Sequence, residues 1–172
     1  QTIFSDTYDS VMRDDDGNIT GWTKNDDRGR ETESLWQDDN GNTYYVDRDP
    51  DTGNIAMVTM DKDSNIVSTS KTDYYPEGGY KSTDTDYATG EVKNTLYDDD
   101  GNEIYSETKD SEGRDLGYSE EGPGGAMVDV VIDPETGERT ADYQDKDGKP
   151  ISGEYQVPTE SGGQMTKTTD HA

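Results

Sequence analysis

Cysteine is absent from the 172 residues, which excludes disulfides, a thiol nucleophile and thiolate metal ligands and leaves the redox compartment unmarked. Cations are scarce. The 15 Lys+Arg stand against 41 Asp+Glu for a formal net charge of −26, and that balance argues against nucleic acid and anionic membrane surfaces as partners. Leu, Ile, Val and Phe together number 20 of 172, below the ~20% at which a strongly charged chain ordinarily stops building one conventional core. No apolar run is long enough for a spanning helix or for the hydrophobic stretch of a signal peptide, so membrane insertion is not expected. The chain opens on Gln1 and not Met, which fits a processed export product or an excised fragment.

Helix formers are in equally short supply. Asp outnumbers Glu 28 to 13, Leu and Ala number 3 and 5, and 19 Gly are spread along the chain. Gly raises the entropic cost of a helix, and Asp competes for its backbone hydrogen bonds. What is present is 12 Tyr, nine Val, seven Ile and many Thr, residues that suit a pleated, half-buried surface. The sequence predicts an all-β protein.

Turn residues supply the organisation. They gather around Gly17, Gly29, Gly41, Gly53, Gly78, Gly90, Gly101, Gly113, Gly124, Gly137, Gly148 and Gly162, with Ser64 standing where the series needs a glycine. The spacing stays close to 12, between 11 and 14, which leaves about seven residues of strand after a five-residue turn. Most turns place an Asp two or three residues ahead of the Gly. The carboxylate can bond its own backbone two residues on, and Gly accepts φ > 0 without steric cost. The prediction is an antiparallel meander of about fourteen short strands made from a ~12-residue hairpin repeat. At ~4.8 Å per strand a flat sheet would be about 65 Å wide, so a curled or two-layered sheet is expected. Residues 14–157 form the repeat domain. Residues 1–13 precede it as a segment suited to pairing between subunits, and 158–172 follow as a tail.

Between turns the apolar residues alternate, as with Val92, Asn94 and Leu96 against Lys93, Thr95 and Tyr97. Two stretches, Ile55 to Met60 and Ala126 to Ile132, are apolar on both faces and are expected where the sheet is covered twice. Trp22 and Trp36 fall on adjacent strands and are expected to pack across them, with stacking on a carbohydrate as the other use of such rings.

The run Tyr97-Asp98-Asp99-Asp100-Gly101-Asn102-Glu103-Ile104, followed by Asp110-Ser111-Glu112-Gly113-Arg114-Asp115-Leu116, resembles the YD repeat. The Asp49 to Gly53 and Asp133 to Gly137 corners are similar to the Asp-Pro-x-Gly corners of those repeats. YD repeats belong to bacterial cell-surface and secreted Rhs-type proteins, in which β-hairpins build spiral sheets. The resemblance implies an extracellular β-repeat context and no catalysis.

Chemistry-bearing candidates are few. His171 is the only histidine, and no Ser-His-Asp, HExxH, P-loop or dinucleotide fingerprint is present, so no enzyme is expected. The Asp-x-Asp turns at Asp14/Asp16, Asp61/Asp63, Asp98/Asp100 and Asp145/Asp147 offer hard oxygen ligands of the kind calcium takes. They are not EF-hand loops, since Met12 and Leu96 occupy the first ligand positions counted back from Gly17 and Gly101. Asn18-Ile19-Thr20 is a glycosylation sequon within a turn.

Two functions fit this pattern. One is an extracellular or cell-surface structural β-repeat protein, a subunit that joins copies of itself into a homopolymeric fibre or matrix. The other is a calcium- or glycan-binding module of a larger secreted protein.

Overall fold

In the computed structural model, which describes residues 8–151 in full and residues 153–158 and 164–169 as backbone, strand follows strand at the period of the turns. The strands are β1 (Ser10–Arg13), β2 (Ile19–Asn25), β3 (Glu31–Gln37), β4 (Thr43–Arg48), β5 (Ile55–Met60), β6 (Ile66–Tyr74), β7 (Tyr80–Asp86), β8 (Val92–Tyr97), β9 (Glu103–Lys109), β10 (Asp115–Glu121), β11 (Met127–Ile132) and β12 (Arg139–Gln144). They form one antiparallel sheet whose spatial order is the chain order. Next, β13 (Gly153–Pro158) and β14 (Gln164–Thr169) pair with each other as a separate hairpin. The continuous meander therefore has twelve strands where about fourteen are expected. Among the described residues the one helical element is a 3-10 turn at Pro123–Gly125.

The turns fall at the expected residues. Each anticipated turn glycine up to Gly148 has positive φ, and Ser64 takes φ 66 in the place of one. Gly162 lies outside the described residues. Residues 10–13, expected ahead of the repeat, are its first strand, paired with β2 of the same chain through Val11↔Trp22 and Met12↔Gly21. The rest of the N-terminal segment, residues 1–7, and most of the tail, with His171, are outside the described residues.

Register divides the side chains between two faces. One face carries Trp22, Leu35, Tyr45 and Val58 in line and, farther along, Tyr118, Val130 and Ala141. The opposite face carries Trp36 beside Tyr44, Ser34 beside Val46, and a row of small polar residues beyond them. Because Trp22 pairs with Leu35, the alternation of a strand sends Trp36 to the other face, and the two tryptophans do not pack together. Trp22 stacks on Tyr8 at 4.4 Å between ring centroids, and Trp36 stacks on Tyr44 at 5.3 Å.

The core is thin. Its buried apolar residues are Trp22, Val46, Ala126, Val130 and Ile132. On β8 the enclosed residue is Thr95, 2% exposed, and not its apolar neighbour Leu96. Strand packing through β1–β12 runs between consecutive strands, and the farthest-reaching side-chain hydrogen bonds described, from Arg30 to Asp51 and from Arg114 to Glu135, span 21 positions. With no second layer above it among the described residues, a side chain is covered by its neighbours on the same face. A short Thr between Lys93 and Tyr97 is then better covered than a Leu. For the same reason the doubly apolar stretches are not covered twice among the described residues: Ile55–Met60 is largely half-buried, and in β11 Val130 is buried while Val131 is 65% exposed.

Candidate functional site

Most of the described turns are built by one carboxylate each; those at Tyr75–Gly79 and Gly122–Ala126 have Tyr and Gly at that position and close through the backbone. At Asp14 the loop closes when Asp14 N–H donates to the Asn18 carbonyl and Gly17 N–H donates to the Asp14 carbonyl, both at 3.0 Å. The Asp14 Oδ1 then accepts from the N–H groups of Asp16 and Asn18, at 3.1 and 2.8 Å, and Oδ2 accepts from Asn18 Nδ2 at 3.0 Å. Asp38, Asp61 and Asp98 repeat the arrangement with Asn42, Asn65 and Asn102. At Asp26 and Asp110 an Arg takes the Asn position, and its Nε donates to the carboxylate at 2.9 and 2.7 Å. The longer corners at Asp49, Asp86 and Asp133 use a Thr hydroxyl, which accepts the N–H two residues on. Side-chain donation by Asn18 holds Asp14 below the usual carboxylate range, as donation by Asn42 does for Asp38 and by Asn65 for Asp61. The backbone N–H of Asn102 has the same effect on Asp98.

These bonds define the surroundings of the expected calcium ligands. Asp14, Asp61 and Asp98 direct both carboxylate oxygens into their own loops, and Asp145 accepts from the N–H groups of Asp147 and Lys149. Asp16, Asp63, Asp100 and Asp147 are exposed. Consecutive turns of a meander alternate between the two ends of the strands, so Asp14 and Asp61 lie at one end of the sheet and Asp98 and Asp145 at the other. Each pair shares one loop, different pairs are not brought together, and among the described residues no group of three acidic or other metal-ligating side chains forms.

Register assembles a different feature that no local motif announces. Met57, Ser70, Asp84, Lys93, Thr108, Gly117 and Val131 are successive Cα partners across seven strands, β5 to β11. This row floors two contiguous shallow grooves of 660 and 390 Å³ that share Glu91, Lys93 and Thr108. At ~4.8 Å per strand the row is about 29 Å long. At Gly117 the row has no side chain, and a Cβ there would collide with the Val130 carbonyl oxygen of the adjacent strand. Beside it runs a line of hydroxyls, Thr72, Ser82, Thr95, Ser106 and Ser119, and beyond that a tyrosine ladder. Tyr74, Tyr80 and Tyr97 follow one another at 5.2 and 4.5 Å between centroids. Thr95 and Ser106 are buried beneath their neighbours, so it is the hydroxyls of Thr72, Ser82 and Ser119, with the carboxylates and aromatic rings of this face, that can hydrogen-bond and stack on a polyhydroxylated ligand.

The opposite face holds a coupled polar group. Lys24 sits 3.2 Å from Glu33 and 5.4 Å from the Trp22 ring centroid, and the Tyr45 hydroxyl donates to Glu33 at 2.8 Å. Burial, aided by Glu33, pushes Tyr45 up to about 12.

The remaining feature is an edge. Among the described residues β1 has β2 on one side and ends the sheet on the other; Val11 and Met12, 40% and 44% exposed, lie on it. An unpaired strand edge presents N–H and C=O groups to a further strand. No protein-family model matches the chain, and no curated protein matches it. The fold defines an antiparallel β-repeat protein built on a twelve-stranded meander sheet.

Proposed function

We propose that the protein is an extracellular structural β-repeat subunit that joins copies of itself edge to edge into a fibre. The observation that carries this reading is the exposed β1 edge, open among the described residues, on a sheet with an even number of strands. With twelve strands, or fourteen if the terminal hairpin joins, the last strand runs opposite to β1. A second copy added by translation continues the antiparallel order and can keep repeating without closure. The small hydrophobic core supports the same reading, since pairing with copies adds burial that the chain lacks. Electron microscopy and sedimentation of the purified protein test it. Filaments are expected from the parent chain, and Val11→Lys with Met12→Lys should leave folded, unassembled subunits.

A glycan-binding module is the second reading, and the groove and tyrosine ladder favour it. Under it the protein stays monodisperse and binds immobilised polysaccharide, and Tyr74→Ala with Tyr97→Ala weakens that binding. The resemblance to YD repeats accords with both readings.

A further inference from the structure

The chain repeats itself at a spacing of 84 positions, and contacts repeat with it. Asp14-Asp15-Asp16-Gly17-Asn18 recurs as residues 98–102, Asp49-Pro50 and Thr52-Gly53 recur as Asp133-Pro134 and Thr136-Gly137, and Asp61-Lys62-Asp63 recurs as residues 145–147. The strands β2, β3, β4 and β5 have boundaries 84 positions before those of β9, β10, β11 and β12. The bridge from Arg30 to Asp51, 3.0 Å, returns as Arg114 to Glu135, 2.8 Å. Gly41 faces Lys62 as Gly125 faces Lys146, and the register pair Met60↔Ile66 returns as the bridge Gln144↔Pro150. Two seven-strand units, β1–β7 and β8–β14, thus follow each other. A shift of seven strands is odd, so equivalent residues change face: Trp22 corresponds to Ser106. Most of the turns are what the repeat retains, the exception being Asp38–Asn42, which returns as Gly122–Ala126.

Within the chain the two units meet at β7 and β8, in the register Ser82↔Thr95 and Thr83↔Asn94. We infer that this junction is the template for the contact between copies: β14 of one copy pairs with β1 of the next in the register of β7 with β8. Subtracting 84 positions from β8 gives β1 and adding 84 to β7 gives β14, which sets Thr166 opposite Val11 of the next copy and Lys167 opposite its Ser10. The inference rests on the self-assembly reading and specifies its interface. It requires β13 to lie beside β12, where the structure instead sets part of β14 against β12, so the terminal hairpin must swing out to continue the pairing that the Gln144↔Pro150 bridge and the bond from Ile151 N–H to the Tyr143 carbonyl, 2.8 Å, start in the register of the first unit.

Because the chain has no cysteine, introduced thiols report pairing cleanly. Thr166→Cys and Val11→Cys proteins are mixed, assembled and oxidised, with the intrachain pair Ser82→Cys/Thr95→Cys as the reference for disulfide yield. Lys167→Cys with Val11→Cys is the pair one place out of register, and sedimentation under reducing conditions reports assembly separately. The expected result is an interchain disulfide between positions 166 and 11 at a yield near the reference, with loss of the product in the shifted pair. Assembly without that disulfide, or with equal yield from the shifted pair, overturns the interface and leaves self-assembly standing. Failure of the parent chain to assemble at all overturns both.

Discussion

Arg114 joins two turns: its Nε lies 2.7 Å from Asp110 Oδ2 within its own loop, while its Nη1 lies 2.8 Å from Glu135 Oε1 in the next turn along the same end of the sheet. Glu135 and Asp110 both raise the Arg114 pKa, Glu135 more strongly. A sheet of this kind is stabilised along its margins by such ties as well as across its faces. Arg114→Ala should lower the melting temperature at low salt. Arg114→Lys, which keeps the charge but cannot form both bonds in the planar fork geometry, should recover only part of the loss. Melting at rising NaCl should shrink the differences, since exposed ion pairs are screened.

Ser64 is the one non-glycine residue with positive φ among the described residues, and Gly148 holds the equivalent place in the second unit. A side chain in the left-handed region crowds its own backbone, an effect partly offset by the entropy a glycine loses on folding. Ser64→Gly should stabilise by about 1 kcal/mol and Gly148→Ser should destabilise by a similar amount. Denaturant midpoints measured at unchanged m values check both.

The turn carboxylates give acid sensitivity of definite sign. Asp14, Asp38, Asp61 and Asp98 have folded-state values below the ordinary 3.8, through hydrogen bonds donated by the fifth residue of each loop. Their contribution is complete above 3.8 and is lost as pH falls through the depressed values. Unfolding followed from pH 5 to pH 2 should show that loss. Replacing all four with Asn, which tolerates the same turns, should flatten the decline.

With a formal charge of −26, screening should stabilise the fold, so the melting temperature should rise with NaCl. A further rise with CaCl₂ at matched ionic strength is expected if the Asp pairs hold calcium, and Asp16→Asn with Asp63→Asn, Asp100→Asn and Asp147→Asn should remove that increment. These variants leave the turn-closing carboxylates in place. Equal curves in the two salts would exclude the calcium reading.

Much of the fold is legible in the sequence because the turns are local. Asp and Gly at fixed offsets set the loops, and even Ser64 is marked by the period. The donor at the fifth loop position, Asn18 or Arg30, is visible in the same pattern once the carboxylate has two oxygens to satisfy. Burial is less legible. Thr95 is enclosed and Val131 exposed because a one-layer sheet lacks the covering partner that alternation ordinarily implies. The groove row escapes sequence reading for another reason: Ser70, Asp84, Lys93 and Thr108 are brought together by register, at unequal spacings in the chain. Only laying successive hairpins against one another would have aligned them.

Fibre diffraction from concentrated, oriented protein tests the account most directly. Edge-to-edge growth along the sheet puts the strands across the fibre axis, and a meridional reflection near ~4.8 Å is predicted. Monodisperse particles at every concentration, or fibres with that reflection on the equator, would contradict assembly through the strand edges.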